Sequence, residues 1–473
     1  MYRSKYTTLV LDLGGVLIKY SASNTVGLTS SRIKSALDSP YWHEYERGTL
    51  SKHDAYKQVT EAFFIDLETW AETIEQMRDG MEANVDLISA IKDLKKAFSL
   101  VKICCLSNIP GPELALIRDE IDSWGIIDQL MASSDLQQRK PDMAVYHSLL
   151  RKAQATAADC IFVDDSIGNV VNAQCLGFHG ILFSNTHDLV RVLHNLMGDS
   201  VARAKAYLQS NARNLLCTLS TGKVQPDNFS QLLILHHTRD RNLVDLKNEG
   251  YTWNYFHGNP TYNGTTYPDD SDTTCLAMTI LEDIPMEDKL KARDVILSYL
   301  NRDGLPLSWF DKDRPRVCHC ICANIFRFFA LNGWTEKLPG ICEYLCRLLK
   351  TRAFLHGSRY YKFPEWFLYI LSDLCARRPS DFQLQSMRDL LVECIEERMG
   401  CDANVLGAAM RALSAQSLGL KNDRDLKILL DSQQLDGGWE VAWLWGYATK
   451  PLQIGGRGVV TAMAMDAIQR ERP

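Results

Sequence analysis

Asp269-Asp270-Ser271-Asp272-Thr273-Thr274, running straight into the apolar stretch Cys275–Leu281, decides how the second half of this 473-residue chain is read. Alone, the run reads as a helix start, because Asp, Ser and Thr side chains accept the free backbone N–H groups of a first turn. Working outward, amphipathic helical segments follow at Lys289–Leu300, Ile321–Leu331, Ile341–Leu349, Trp366–Cys375, Leu384–Arg398 and Ala403–Ala415, punctuated by Gly, Pro and Asn. Strand signals fade from about residue 200. Helices of similar length with no strict repeat suit an all-α barrel or bundle.

Further downstream, Gln433-Gln434-Leu435-Asp436-Gly437-Gly438-Trp439 fits the pattern Q-x-x-x-G-x-W. Such a segment ties helix ends together, the amide bonding free backbone groups while the indole covers the turn.

The grammar differs upstream. Apolar β-type runs recur at Thr8–Leu11, Val101–Leu106 and Cys160–Val163, with helical patterns between them, as in an α/β domain whose parallel strands deliver chemistry at their carboxyl ends. A helical insertion between the first two strands, about residues 20–85, is expected to form a cap. The expected domains are 1–198 and 199–473. The strands end on Asp12-Leu13-Gly14-Gly15, on Ser107-Asn108, and on Asp164-Asp165 followed by Asn169, with Lys140-Pro141-Asp142 lying between the last two.

Composition sets the outer limits. Hydrophobic content of 46% and charged content of 23% are those of a globular protein, and a net charge of −6 without a long basic run argues against nucleic acid as partner. No stretch reaches the length of a membrane span, so a cytoplasmic protein is expected. Cys318, Cys320 and Cys322 around His319, with Cys342 and Cys346, lack the usual spacing of zinc ligands; buried helix thiols explain them more simply.

Taken together, these segments resemble a known family. The Asp-x-Asp-Thr-Thr run is similar to a variant of the acid motif of class II terpene cyclases, and the Gln/Trp segment to a motif of that superfamily. The four upstream pieces resemble, in order, the haloacid dehalogenase-like phosphatase signature. Gly304-Leu305-Pro306-Leu307-Ser308-Trp309-Phe310 and Pro364-Glu365-Trp366-Phe367-Leu368-Tyr369 resemble segments of fusions between the two, which make drimane-type sesquiterpenes such as drimenol and albicanol from farnesyl diphosphate. The resemblance implies an N-terminal haloacid dehalogenase-like Rossmannoid domain with a helical cap, and a C-terminal α/α-barrel cyclase domain.

It also implies roles. Asp272 is the expected proton donor, Asp270 its polarising neighbour, and Thr273 replaces the family's last Asp, its hydroxyl still able to hydrogen-bond the donor. Trp309, Phe310, Trp366, Trp443, Trp445 and Tyr447 are candidates to face a carbocation, though any single one reads more readily as core packing. Arg457, in Gly455-Gly456-Arg457-Gly458, is the favoured cation for the diphosphate over Arg314 and Arg316. In the α/β half, Asp12 is the expected nucleophile; Asp12 with Asp164 or Asp165 would hold Mg²⁺, and Ser107, Asn108 and Lys140 would neutralise phosphoryl oxygens.

One position departs from the pattern. Phosphatases of this kind usually carry an acid two residues after the nucleophile, and this chain has Gly14. Losing one phosphate from a diphosphate needs little acid help, since a phosphate's second pKa is about 6; releasing an alkoxide needs more. Two other readings therefore stay open: a cyclase whose α/β half is an inactive scaffold, and a small-metabolite phosphatase with a partner-binding helical domain.

Overall fold

The computed structural model describes residues 4–20, 27–98, 101–258, 261–262, 265–401, 404–446 and 452–471. The chain forms two compact units, Met1–Gly198 and Asp199–Pro473.

The first unit contains β1 (Thr8–Leu11), β2 (Ile18–Tyr20), β3 (Met81–Ala83), β4 (Lys102–Ser107), β5 (Gln129–Ala132), β6 (Cys160–Asp164) and β7 (His179–Leu182). Five of these make a parallel sheet in the order β5-β4-β1-β6-β7, with Val10 opposite Cys104 on one side and Phe162 on the other. Helices cover both faces of such a sheet, so its central strands are continuous apolar runs; all four residues of β1 are buried. The edge strands β5 and β7 are only partly buried and carry no such run, which is why the sequence did not announce them.

Helices Ser30–Leu37, Pro40–Glu46, Lys52–Phe63 and Leu67–Asp79 form the cap around a core of Trp42, Tyr45, Tyr56 and Trp70. Each starts on a side-chain cap: Thr29, Ser39, Ser51 and Asp66 accept the N–H groups of Arg32, Trp42, Asp54 and Thr69. The chain enters the cap from β2 and leaves it through β3, and these two strands pair antiparallel.

In the second unit, helices Asn228–Thr238, Ser271–Ile280, His319–Leu331, Glu365–Arg377, Val405–Ser417 and Arg457–Arg470 bury nearly every side chain. Each packs against the next and the last against the first, closing a ring. Helices Ser200–Ser210, Met286–Ser298, Ile341–Thr351, Gln385–Glu396 and Asp423–Ser432 bury only one stripe and pack outside it. Helices apolar all round belong inside and amphipathic ones outside; the result is a two-layered α/α barrel.

The fading of strand signals after residue 200 needs correction. β8 (Cys217–Leu219), β9 (Val224–Gln225), β12 (Trp443–Gly446) and β13 (Gln453–Gly455) form an antiparallel sheet in the order β12-β13-β8-β9, and β10 (Thr261–Tyr262) pairs with β11 (Thr265–Thr266). These strands are too short for a visible alternation. The central pairing, Ile454 with Leu219, spans most of the domain.

Candidate active sites

Every residue of the Asp270–Thr274 run has a separate job. Asp270 is the N-cap of helix Ser271–Ile280: its carboxylate accepts the Thr273 N–H at 2.6 Å and the Thr273 hydroxyl at 3.0 Å. Ser271 donates its hydroxyl to the Leu307 carbonyl at 2.7 Å. Thr274 accepts the Trp253 N–H at 2.9 Å. The helix-cap reading therefore holds for Asp270, and it leaves Asp272 free for something else.

Asp272 is 5% exposed. Its Oδ1 accepts Nδ2 of Asn324 at 2.7 Å, and its Oδ2 takes a short hydrogen bond from the Tyr361 hydroxyl. Behind Asn324, Arg327 donates to Asn324 Oδ1 at 2.7 Å and to Asp373 at 2.9 Å. Burial pushes the Asp272 carboxyl up to about 6, against the pull of Tyr361, Asn324 and Arg327 toward the charged form. Burial, with Asp272 adding to it, also lifts Asp270 well above the carboxylate range. Asp272 is thus a carboxyl group that keeps its proton to a higher pH than an exposed aspartate and has two donors ready to stabilise the anion left when the proton goes. These are the properties that a general acid needs.

Thr273 differs from its expected role, since its hydroxyl serves Asp270 and not Asp272. The partners that Asp272 does have, Asn324 and Tyr361, were missed. Asn324 had a signal: Asn324 and Arg327 are the polar pair, three residues apart, inside the otherwise apolar HCICANIFRFFAL helix. Tyr361 had none.

Tyr361 joins the acid to an aromatic cluster. Its ring stacks on Trp366 at 5.3 Å and 7°. Trp366 contacts Phe229 at 5.6 Å, and Phe229 contacts Trp445 at 5.2 Å. Trp309 is joined to Asp270 through a β-bridge and donates its indole N–H to Tyr360 at 2.9 Å. Phe310 packs on Tyr299 at 5.6 Å. Trp443 is half-buried on β12 opposite Gly455. Tyr447 lies outside the described residues.

Arg457 belongs to the Gln/Trp turn. Its Nε donates to the Trp439 carbonyl at 3.0 Å and its Nη2 to Asp436 at 2.8 Å, with the guanidinium over the Tyr207 ring. Gln433 donates to the carbonyls of Gly437 (2.8 Å) and Ser200 (2.9 Å), while the buried Trp439 donates to Leu429 (2.8 Å). In this structure Arg457, the expected diphosphate cation, braces the turn through anionic and carbonyl partners.

In the first unit, the ends of β1, β4 and β6 converge. Lys140 Nζ lies 2.8 Å from Asp12 and 2.6 Å from Asp164. Asp164 also accepts from Asn169 and from the Ser166 N–H, both at 2.9 Å. Asn108 clamps Lys140 from both sides, accepting its N–H and donating to its carbonyl at 2.8 Å each, so its side chain positions the lysine. Ser107 is buried at the end of β4 and faces a cavity of about 610 Å³ under the cap, with Asn108 and Asp165. Burial raises Asp12 to about 7; Lys140 opposes this and Asp164 adds to it. Gly15 adopts φ +76°, and a Cβ there would lie 2.1 Å from the Asp165 carboxylate.

Oxygens of Asp12, Asp164 and Asp165 lie within 4.8 Å of one another. Three carboxylates around one point, with a single lysine against them, fit a hard divalent cation such as Mg²⁺.

Residues 201–332 match the sesquiterpene cyclase astC-like C-terminal domain family. Over 462 residues the chain is 33% identical to the drimenol cyclase drtB of Aspergillus calidoustus, covering 97% of this chain and 87% of that one. This chain belongs to the haloacid dehalogenase-like terpene cyclase fusion family. The α/β half of this cyclase fusion is also 26% identical to the sesquiterpene phosphatase astK of Aspergillus oryzae (strain ATCC 42149 / RIB 40), covering 41% of this chain and 97% of that one. Among solved structures, a haloacid dehalogenase family enzyme from Bacteroides thetaiotaomicron, in complex with magnesium and inorganic phosphate, matches 38% of the fusion and 94% of its own chain, at 14% identity and a TM-score of 0.31.

Proposed function

We propose that this chain is a bifunctional sesquiterpene synthase: the barrel protonates and cyclises farnesyl diphosphate to a drimane-type bicyclic diphosphate, and the α/β unit removes phosphate to give a monophosphate or alcohol. The observation that carries the reading is the buried Asp272 carboxyl, its hold on a proton strengthened by burial, set between Asn324 and Tyr361. Protonation of the terminal alkene leaves the Asp272 anion stabilised by those two donors. The aromatic faces beside it, Trp366 and Trp445 foremost and Trp309 next, stabilise the cation by about 0.5–2 kcal/mol each and offer no nucleophile.

In the α/β unit, Asp12 attacks phosphorus, and Lys140, Ser107 and the Asn108 backbone face the phosphoryl oxygens. Asp12, Asp164 and Asp165 would hold Mg²⁺, which neutralises phosphate charge when bound. Fourteen free cysteines fit a reducing, cytoplasmic setting, and among the described residues no helix is long and apolar enough to cross a membrane.

The test is incubation with farnesyl diphosphate and Mg²⁺, analysing products with and without an added phosphatase. Asp272→Asn should abolish cyclisation yet leave hydrolysis of a supplied cyclic diphosphate. Cyclisation that survives in Asp272→Asn would sink the assignment.

A further inference from the structure

The loop after Asp12 turns back on itself at once. Ile18 donates its N–H to the Leu13 carbonyl at 2.7 Å, Gly15 donates to the Ile18 carbonyl at 2.8 Å, and Gly14 forms a bridge with Ile18. This brings Tyr20, at the end of β2 opposite Met81, back over position 14. A Cβ built on Gly14 would lie 2.3 Å from Tyr20 Oη and 3.0 Å from two of its ring carbons. Gly14 is not among the positive-φ glycines. Glycine at this position is therefore a matter of room, and the room is filled by a phenol hydroxyl.

Tyr20 also lines the cavity that holds Ser107, Asn108 and Asp165. Tyr20 as a whole is half exposed, and its hydroxyl end packs over Gly14. The rest of that cavity includes Ile33, Leu37, Trp42, Ile74 and Met77, walls suited to an apolar group joined to a phosphate. A prenyl or bicyclic alcohol leaves as an alkoxide and needs a proton at that junction. Two of the other acidic groups that line the cavity are engaged: Glu46 is paired with Arg139 at 2.7 Å, and Glu113 accepts from Tyr45 and Lys52. A phenol, of ordinary pKa about 10, carries its proton at neutral pH.

The geometry points to Tyr20 as the proton donor to the departing alcohol, taking the place that a side chain at position 14 leaves empty. An Asp12 oxygen bonds to phosphorus, the ester P–O bond breaks, and the alkoxide takes the Tyr20 proton. This leaves the alcohol, an aspartyl phosphate and a tyrosinate. Water then hydrolyses the aspartyl phosphate to inorganic phosphate and the Asp12 carboxylate, and one of its protons restores Tyr20. The inference rests on the phosphatase reading of this unit and gives it the means to go past the monophosphate to the alcohol.

Full-length protein with Mg²⁺ and its Tyr20→Phe variant would be assayed on a series of monophosphates running from p-nitrophenyl phosphate, whose leaving group needs no proton, to farnesyl monophosphate, whose leaving group does. The variant should lose about 10²-fold in kcat/KM on farnesyl monophosphate, a loss about ten times larger than on p-nitrophenyl phosphate. The dependence of rate on leaving-group pKa then steepens. An equal loss across the series, or no loss, overturns the role of Tyr20. Wild-type protein that hydrolyses none of the series, and no differently from Asp12→Asn, removes the phosphatase reading and the Tyr20 role with it.

Discussion

Asn324 Nδ2 lies 2.7 Å from Oδ1 of Asp272 and 3.0 Å from the same residue's backbone carbonyl. One amide therefore fixes both the carboxyl and the first turn of the helix that presents it, and Arg327 orients that amide from behind. Replacing Asn324 with Leu removes a donor to the anion and leaves the buried Arg327 with one partner fewer. Cyclisation of farnesyl diphosphate should fall about 10²-fold, measured as cyclised product formed per minute, while hydrolysis of a supplied monophosphate stays near the wild-type rate.

The pH profile of cyclisation follows from the same site. With Asp272 as the proposed donor only its protonated form is active, so the rate should be maximal below about pH 6 and fall as pH rises through that value. Tyr361→Phe takes away a hydrogen bond that favours the charged form. The descending limb should move to higher pH while the maximal rate drops, because the anion formed on proton transfer is less stabilised. Initial rates between pH 5 and 8 check both shifts.

Asp12→Asn should accumulate a cyclised product that still carries its phosphates. Adding a chelator of divalent cations to the wild type should do the same if Asp12, Asp164 and Asp165 hold Mg²⁺. Mass spectrometry before and after treatment with an added phosphatase distinguishes diphosphate from alcohol.

Arg411 is 1% exposed and joins two acids that are equally buried, Asp425 at 2.5 Å and Glu365 at 3.2 Å. Arg411→Met strands the Asp425 carboxylate inside the barrel. Chemical unfolding should show a loss of about 3–5 kcal/mol.

Arg457 braces the Gln/Trp turn through a pair with Asp436 that is partly open to solvent. Arg457→Ala should cost about 1 kcal/mol and lower the melting temperature. KM for farnesyl diphosphate should hardly move; a large rise would restore Arg457 as a diphosphate ligand.

The fold was legible wherever burial is continuous along the chain. β1, β4 and β6 showed as apolar runs, and the barrel helices between residues 286 and 417 as helical segments, because in each the pattern and the packing are local; Ser200–Ser210, Asn228–Thr238, Asp423–Ser432 and Arg457–Arg470 were not singled out. β5 and β7 escaped as half-buried edges, and β8 with β13 because their partners are far apart in sequence. The site divides the same way. Asp12, Lys140, Asp164 and Asp272 belong to short motifs fixed by strand ends and a helix start. Tyr361 reaches Asp272 from 89 residues away, and Tyr20 reaches Gly14 only because a turn folds back; no local composition marks either. At Arg457 the glycine-rich bend looks open in sequence, whereas the side chain closes on Asp436.

The hydroxyl of Thr273 turns to Asp270, so the residue that distinguishes this motif from its four-letter relative does not touch the acid. Presence and strength of the acid are then separate properties, written in different parts of the chain. The motif declares that a proton can be given. On the proposed reading, how readily it is given depends on burial and on two other segments, at positions 324 and 361, and substitutions confined to them should retune which alkenes the enzyme can activate with the motif left intact.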